Sequence, residues 1–276
     1  MPLRASRKQA ANMSEYQTIL VDTSDSGVTT ITFNRPKSRN ALNRLCRLET
    51  IDAIRAANCD KAVRVVVLAG NGNGFCAGAD LTEESPGMAE DGWGTRQLRY
   101  EYNPIIEGIL SAEKPFIAAV NGAAAGFGAS IALACDFTVM AEDAYLYSAF
   151  GGIGLTADGG LHKMLSEYVG QKKAYEMIAL SQKLSAQQCE HYGMANAVVP
   201  AQVLMAKAQE LAQQVAAAAP LTLRYSKLLL KESKTSSVEQ IAEREAQLQN
   251  YCIRSKDFAE GMAAFFEKRP AKFTGE

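Results

Sequence analysis

The stretch Asn121–Asp136, which reads NGAAAGFGASIALACD, combines residue types that suit the stabilisation of a developing negative charge. Gly122, Gly126 and Gly128 permit positive φ angles and let another molecule approach the main chain closely. The apolar run behind them predicts a helix, whose first N–H groups and positive dipole end point back at the turn. The stretch is therefore a candidate anion-stabilising turn built from main-chain donors.

An apolar strand leads into each of two such turns. Phe116–Val120 precedes the stretch above, and 64–69 (RVVVLA) precedes a second small-residue turn, Cys76–Asp80. A near-continuous apolar run is typical of a strand that is buried on both faces of a sheet. Together the two turns could place donors around one oxygen atom. The alternative is plain tight chain reversal.

The remaining pattern predicts alternating strands and helices. Further strands are predicted at 28–34, 137–141 and 195–199, and helices at 40–57, 95–111, 159–169 and 172–180. Repeated strand-and-helix units favour a mainly parallel sheet. Residues 82–94 are acidic and lack periodicity, which indicates a surface loop.

After Pro200 the composition becomes helical. Helices are predicted at 203–219, 221–231, 238–254 and 257–268. Their apolar stripes need a partner surface, which is either the sheet core or another subunit. We therefore divide the chain into a core with the active site at 13–200 and a helical oligomerisation region at 201–276. Residues 1–12 hold three basic residues and no acid, so we expect a disordered arm or a tag, with a short targeting piece as the alternative.

The composition excludes several classes of protein. Lysine and arginine number 29 against 30 acidic residues, so no global field favours nucleic acid or an anionic membrane. No uncharged run approaches the roughly 20 residues that span a bilayer. Six widely spaced cysteines without a C-x-x-C motif predict free thiols in a reducing, cytoplasmic compartment. With only His162 and His191 present, we expect no histidine-rich metal site.

A dinucleotide-binding turn is one alternative use of the first glycine cluster. Gly72–Ala77 fits G-x-G-x-x-A directly after a strand, with Glu90 or Asp91 as the distant acid. That fingerprint requires a long helix to open at its third position. Here the chain runs quickly into the acidic loop, so the match is weak.

Several motifs together resemble one family. They are Arg35-Pro36-Lys37, Asn40-Ala41-Leu42, the segment FCAGADL from Phe75, and N-G-x-A-x-G-x-G ending in LACD. In this order, over residues 15 to 273, they resemble the crotonase (enoyl-CoA hydratase/isomerase) superfamily. The resemblance implies an α/β fold, a spiral of ββα turns with a C-terminal helical trimerisation region, and a coenzyme A thioester as substrate. It also implies that the N–H groups of Ala79 and Phe127 hold the thioester oxygen.

The resemblance further separates branches of the family. Hydratases carry glutamates at the positions of Ser130 and Phe150, and both acids are missing here. Hydration by two carboxylates is therefore not expected. Asp158, in GLTADGG, matches the acid of the isomerase-like branch and is the expected catalytic acid/base. Its alternative is an N-cap for the helix that follows. An apolar wall of Phe150, Ile153 and Leu155 would raise the pKa of Asp158 and favour the catalytic role.

Other family positions carry over onto this chain. The residues implied along the coenzyme are Lys37, Ala77, Gly78, Asp80, Leu81, Gly126, Phe265 and Lys268. The last two would close on the adenosine phosphate, with a solvated helix end as the alternative. The residues expected to line the acyl pocket are Trp93, Leu98, Tyr102, Phe150 and Leu155, although a loop tryptophan can equally pack on the surface.

The first hypothesis is an isomerase that converts a 3-enoyl-CoA to a 2-enoyl-CoA without a cofactor, coenzyme A being part of the substrate. Isomerisation of a ring-1,2-epoxyphenylacetyl-CoA is the next alternative, followed by hydration and by dehalogenation, which would use Asp158 as a nucleophile. A non-catalytic acyl-CoA binding protein is a hypothesis from another class. The resemblance implies a homotrimer or hexamer.

Overall fold

The computed structural model describes residues 16–276 of the chain, so the prediction for residues 1–12 lies outside it. The strands are β1 (Ile19–Thr23), β2 (Val28–Phe33), β3 (Val65–Gly70), β4 (Gly74–Cys76), β5 (Phe116–Val120), β6 (Ala123–Ala125), β7 (Phe137–Ala141), β8 (Tyr145–Tyr147), β9 (Lys183–Ser185) and β10 (Ala197–Val199). The helices are α1 (Arg44–Cys59), α2 (Trp93–Gln97), α3 (Asn103–Leu110), α4 (Phe127–Ala134), α5 (Leu161–Ala179), α6 (Ala186–His191), α7 (Leu204–Ala216), α8 (Pro220–Ser233), α9 (Val238–Ile253) and α10 (Lys256–Glu267).

The strands form two sheets. One has six strands in the order β1-β2-β3-β5-β7-β10, and the other has four in the order β4-β6-β8-β9. All neighbours are parallel except β1 against β2 and β8 against β9. Three successive units, β3-β4-α2/α3, β5-β6-α4 and β7-β8-α5, each place one strand in each sheet and then a helix. The predicted α/β fold with a ββα spiral and a mainly parallel sheet is confirmed.

The long elements match the prediction closely, whereas the second sheet was missed. Its strands β4, β6, β8 and β9 have three residues each, which is too short to show a period of two. The helices predicted at 159–169 and 172–180 correspond to the two parts of α5, which meet at a kink where Gly170 is non-helical, with φ 73° and ψ 163°. Helix α1 begins at Arg44 and not at residue 40, because the Asn43 side chain caps it by accepting from the Cys46 N–H at 3.0 Å.

The helix predicted at 95–111 is interrupted by a wider turn. Helix α2 passes through a π-helical turn, Leu98–Tyr102, into α3. Pro104, which lacks an N–H donor, follows directly after that turn. π-Helical turns inside helices are frequent at functional sites. This one carries Tyr102, which is buried.

The helical tail divides into a packed part and an open part. Helix α7 buries Leu204, Ala208 and Ala212 and packs on β3, β5 and β7. Helix α8 has no buried residue, and α9 buries only Leu248. The apolar side chains left open include Leu230, Phe265 and Phe266. A role of 201–276 in oligomerisation, and with it the trimer or hexamer, stays a prediction.

Candidate active site

The first turn is held by a pair of hydrogen bonds to Leu42. The Leu42 N–H donates to the Gly78 carbonyl at 2.7 Å, and the Asp80 N–H donates to the Leu42 carbonyl at 3.3 Å. In a parallel bridge of this kind, Leu42 makes both hydrogen bonds to Gly78 and Asp80, the residues on either side of Ala79. The N–H of Ala79 therefore points away from Leu42. Ala79 is exposed, so this donor faces accessible space.

Asn40 fixes the segment that carries Leu42. Its side chain is fully buried and donates to the Gly74 carbonyl at 2.7 Å and to the Asn71 carbonyl at 3.0 Å. Its Oδ1 accepts from the Arg35 N–H at 2.9 Å, and its backbone is left-handed, with φ 59°. Asparagine tolerates this backbone conformation and can bind neighbouring main chain with its amide. Asn40 is therefore the residue that joins the segment before α1 to the first turn.

The second turn presents the first residue of α4. Gly126 has φ 52° and ψ −126°, a conformation open to glycine, and α4 begins directly after it at Phe127. The N–H of Phe127 lies in the first turn of the helix, where no carbonyl four residues earlier in the helix accepts it. All eight residues of α4 are buried. The Phe127 N–H is thus a donor in dry surroundings at a positive helix end.

The two turns are in direct contact. A Cβ placed on Gly78 would lie 2.8 Å from the Ala125 carbonyl oxygen and 3.2 Å from the Phe127 nitrogen. One placed on Gly126 would lie 3.8 Å from the Gly78 Cα. No side chain fits between the turns, so the main chains of the two donor segments meet. The arrangement can hold one oxygen that gains negative charge.

The segment 154–160 brings Asp158 to the same place. A Cβ on Gly159 would lie 2.8 Å from Cε2 of Phe127 and 2.7 Å from Cβ of Ser130. The Ser130 hydroxyl donates to the Asp158 carbonyl at 2.9 Å. Asp158 therefore neighbours the residue that supplies the second donor.

The N-cap interpretation of Asp158 is wrong. Helix α5 begins at Leu161, its N-cap is Gly160, and no side chain caps it. Within residues 16–276, Oδ1 of Asp158 is buried without a hydrogen-bond partner. Burial raises the pKa of this carboxyl to about 6. A half-buried carboxylate with one unpartnered oxygen and a pKa near neutrality is suited to general acid/base chemistry.

The surroundings that bury Asp158 differ from the expected wall. Phe150 is buried, but Ile153 is 53% and Leu155 is 56% exposed. Contacts through Gly159 instead place Phe127 and Ser130 beside the acid. Burial is the main cause that raises the pKa of Tyr102, and the Asp158 charge adds to it. The start of α4 thus packs directly against the residue that follows Asp158.

Neither hydratase position offers a second acid. Ser130 is fully buried, and its hydroxyl is engaged with the Asp158 main chain. Phe150 lies against the second turn, with its Cζ 3.9 Å from a Cβ placed on Gly126. Two carboxylates that share the activation and protonation of a water are therefore not available at these positions.

A buried arginine that the sequence analysis missed supports the site. Arg47 is 2% exposed and donates to the Leu42 carbonyl at 2.8 Å and to the Tyr102 hydroxyl at 3.2 Å. It also pairs with Glu83 and Glu101. The Tyr102 ring packs edge-on against Phe127, with ring centroids 4.8 Å apart. Arg47 thus contacts residues next to both donors. Its position on the apolar face of α1 was the available signal, because a lone charge there needs partners.

The Tyr102 side chain lines the site and is uncharged at neutral pH. It is 3% exposed, and burial raises the pKa of its hydroxyl to about 12. Trp93 lines a cavity of about 330 Å³ together with Arg44, Arg47, Arg96 and Glu101. Leu98 is half-buried and packs against the core. The structure therefore joins Tyr102 and Phe150 to the donor turns and leaves Trp93 beside a charged cavity.

The implied coenzyme residues lie on two surfaces. Lys37 is exposed in the turn Pro36–Ser38, and Leu81 is 71% exposed after the first turn. Phe265 is 76% exposed on α10, and Lys268 ends that helix. Such exposure leaves these side chains accessible to a ligand. Their coenzyme role stays a prediction.

Asp80 and Asp136 make structural contacts. Burial alone would raise the pKa of Asp80, but hydrogen bonds from Thr82 and Arg35 lower it. Asp80 pairs with Arg35 at 2.8 Å. Asp136 accepts from the Phe116 N–H and from Lys227 Nζ, each at 2.8 Å. Both carboxylates tie chain segments together.

The dinucleotide interpretation of Gly72–Ala77 is wrong. Gly74–Cys76 is a strand, and the next helix begins only at Trp93. All six cysteines have free thiols, as predicted. Among residues 16–276, no group of three histidine, cysteine, aspartate or glutamate side chains could hold a metal ion. None of the helices described is long and apolar enough to cross a membrane.

Comparisons with known proteins agree with this geometry. The family model described as Enoyl-CoA hydratase/isomerase matches residues 23–276. The 1,2-epoxyphenylacetyl-CoA isomerase of Escherichia coli strain K12 is 34% identical, over 91% of this chain and 97% of its own. The crotonyl-CoA hydratase of Syntrophomonas wolfei is 32% identical, over 94% of this chain and 98% of its own. An enoyl-CoA hydratase structure from Bacillus anthracis superposes with a TM-score of 0.87 at 32% identity, covering 94% of this chain and 100% of that one.

These matches in sequence and fold identify the protein as an acyl-CoA enzyme of the crotonase superfamily. Within that class, the chain belongs to the enoyl-CoA hydratase/isomerase family.

Proposed function

We propose that the protein moves the double bond of an enoyl-CoA thioester from the 3,4 to the 2,3 position. The observation that supports this most directly is the Asp158 carboxyl, which has a buried oxygen without a hydrogen-bond partner and a pKa of about 6. No second carboxylate stands at the positions of Ser130 and Phe150. One acid/base without a partner suits proton transfer between two carbons better than the addition of water.

The proposed reaction has two proton transfers. Asp158 removes a proton from C2, and the electron pair of the broken C–H bond spreads over C2, C3, C4 and the thioester oxygen. The N–H groups of Ala79 and Phe127 stabilise that oxygen, and each donor is worth about 2.7 to 4 kcal/mol of barrier. Protonated Asp158 then returns the proton to C4, which leaves the double bond between C2 and C3. The two proton transfers need no cofactor. Coenzyme A is part of the substrate.

The remaining expected residues would bind the thioester. We assign the coenzyme to the exposed side of the first turn, with Lys37 and the main chain of 77–81 along it. Phe265 and Lys268 would come from a neighbouring subunit of a trimer. Tyr102 and Phe150 would line the acyl group next to the donors. This assignment is supported by the exposure of Lys37, Leu81 and Phe265 in the single chain.

The substitution Asp158→Asn tests the proposal. It should lower kcat for a 3-enoyl-CoA by roughly 10² to 10⁴ while the thioester still binds. Asp136→Asn is the matched control, since it removes a carboxylate that is engaged with Lys227. An Asp158→Asn enzyme that isomerises as fast as the unchanged protein would refute the assignment. Tight thioester binding by the unchanged protein without any product would favour a non-catalytic acyl-CoA binding protein.

Isomerisation of a ring epoxide is the second candidate, and the relative from Escherichia coli favours it. It would use the same acid and the same oxyanion donors on an acyl group that carries a ring epoxide. The two candidates are separated by incubating the protein with a 3-enoyl-CoA and with a 1,2-epoxyphenylacetyl-CoA, separating each isomeric product by chromatography and following it by absorbance. The substrate with the higher kcat/KM decides between them.

A further inference from the structure

Ser130 makes an unusual contact for a serine inside a helix. Such a hydroxyl often bonds back to a carbonyl of its own helix, one turn earlier. Here it leaves α4 and donates to the Asp158 carbonyl at 2.9 Å. The side chain is fully buried, so water cannot replace this bond.

The segment 154–160 has few other anchors. Gly154, Gly159 and Gly160 all have positive φ angles, of 73°, 59° and 75°. Among the described residues, the bond from Ser130 is the side-chain hydrogen bond that this segment receives. The Asp158 carbonyl also accepts from the Leu161 N–H at 3.1 Å. Its orientation is therefore fixed from both sides, by α4 and by the start of α5.

The contact also limits what can stand at position 130. A Cβ on Gly159 would lie 2.7 Å from Ser130 Cβ and 3.0 Å from its hydroxyl oxygen. The glycine main chain is therefore packed directly against the serine side chain. A glutamate at this position would have to displace the segment that carries Asp158.

We propose that Ser130 is a positioning residue that holds the Asp158 base beside the Phe127 donor, and that an acid at position 130 and a working base at 158 exclude one another on this backbone. The inference rests on the proposed function. Ser130 does not touch the substrate in this account. It acts through the main chain of Asp158.

Ser130→Ala tests the positioning, with Thr138→Val as its control. Thr138 is also buried, lies just beyond the other end of α4, and donates its hydroxyl to the Ala132 carbonyl at 3.3 Å. Both variants lose one buried hydroxyl and should lose thermal stability. Only Ser130→Ala should lower kcat, by about 10-fold, with KM changed less than about twofold. Equal kcat values in both variants would reduce Ser130 to a structural role.

A second measurement does not depend on turnover. The Asp158 carboxyl can be titrated by ¹³C NMR in protein labelled at aspartate, with Asp158→Asn identifying the signal. Tyr102 is the titratable group that interacts with Asp158; burial raises its pKa to about 12, and the neighbouring Arg47 stays charged, so neither titrates near pH 6. Ser130→Ala should move the pKa of Asp158 from about 6 toward its ordinary value of 3.8, because the released segment exposes the carboxyl to water.

The outcomes separate this inference from the proposed function. If the unchanged protein isomerises no enoyl-CoA, the function fails, while the NMR titration still decides whether Ser130 positions Asp158. If the pKa of Asp158 is the same in Ser130→Ala and Thr138→Val, the positioning fails. Ser130→Glu tests the exclusion: it should abolish isomerisation, and a variant that keeps the isomerase rate would overturn it.

Discussion

Arg44 and Arg47 bind the same carboxylate, Glu101, one from the protein surface and the other from the core. The Arg44 side chain is 66% exposed and contacts Oε1 at 3.1 Å, whereas Arg47 is 2% exposed and contacts Oε2 at 2.6 Å. Glu101 precedes Tyr102, whose ring packs on Phe127. The shared carboxylate therefore joins a surface arginine and a core arginine at the back of the proposed oxyanion site.

This relationship gives a matched pair of variants. Arg47→Met leaves Glu83 and Glu101 without their buried partner and should lower the free energy of unfolding by about 3 to 5 kcal/mol. Arg44→Met removes an exposed ion pair and should cost less than about 1 kcal/mol. Urea unfolding of both variants measures the difference. Similar losses of unfolding free energy in the two variants would show that the buried ion pairs of Arg47 stabilise the fold no more than the exposed pair of Arg44.

The contact between the two turns predicts that Gly78→Ala damages catalysis. Gly78 has φ 88°, and the added Cβ would press on the Ala125 carbonyl and the Phe127 nitrogen. Displacing one donor should lower kcat by about 10² to 10³. Gly193→Ala is the control, because Gly193 has φ 74° and open space around it, so it shares only the backbone strain. Steady-state rates of both variants, compared at a temperature where each is folded, check this.

The ionised Asp158 carboxylate should lower the free energy of unfolding at neutral pH. Its pKa is raised to about 6 in the folded chain, above the ordinary 3.8, so the folded state binds more protons between these values. Stability from this group therefore falls as the pH rises through that window. Asp158→Asn should raise the free energy of unfolding by about 1 to 3 kcal/mol near pH 8 and leave it unchanged below about pH 4.

The contrasting variant for that measurement is Asp136→Asn. Its carboxylate accepts from Lys227 and from the Phe116 N–H, so losing the charge should destabilise the protein. Denaturant unfolding of both variants at two pH values tests the prediction. An Asp158→Asn protein that is destabilised near pH 8 would contradict it.

The same pKa sets the expected pH dependence of the rate. The base must be ionised in the free enzyme, so kcat/KM should fall about tenfold for each pH unit below about 6 and reach a plateau above it. The profile is measured with a 3-enoyl-CoA between pH 4.5 and about 8. A rate that continues to rise well above pH 7 would assign the proton transfer to another group.

The sequence predicted the elements that have a long apolar period and the two glycine turns. Strand β5 was bounded correctly because Phe116–Val120 is a continuous buried run. The second sheet could not be predicted, since three residues such as Ala123–Ala125 show no periodicity and pair only because the spiral brings β4 and β8 beside them.

The site was predictable where it rests on glycine and acid positions, and not where it rests on contacts distant in sequence. Ser130 could be read as a missing acid, but its bond to Asp158, 28 residues away, needed the folded chain. Arg47 likewise finds Glu101 54 residues later. The apolar wall beside Asp158 was expected from Phe150, Ile153 and Leu155, of which only Phe150 is buried, and the packing of Phe127 against Gly159 was not foreseen.

The bridge between Leu42 and Ala79 has a consequence for how this enzyme can be mapped. The direction of the Ala79 N–H is fixed by the alternation of the backbone, not by any side chain. An alanine scan would leave position 79 unchanged because it is already alanine. Most substitutions there would keep the main-chain N–H donor. A single-residue insertion between Gly78 and Ala79 would reverse the alternation and turn the donor away. The proposed donor role of Ala79 therefore depends on chain register, which deletion and insertion variants detect and side-chain replacement does not.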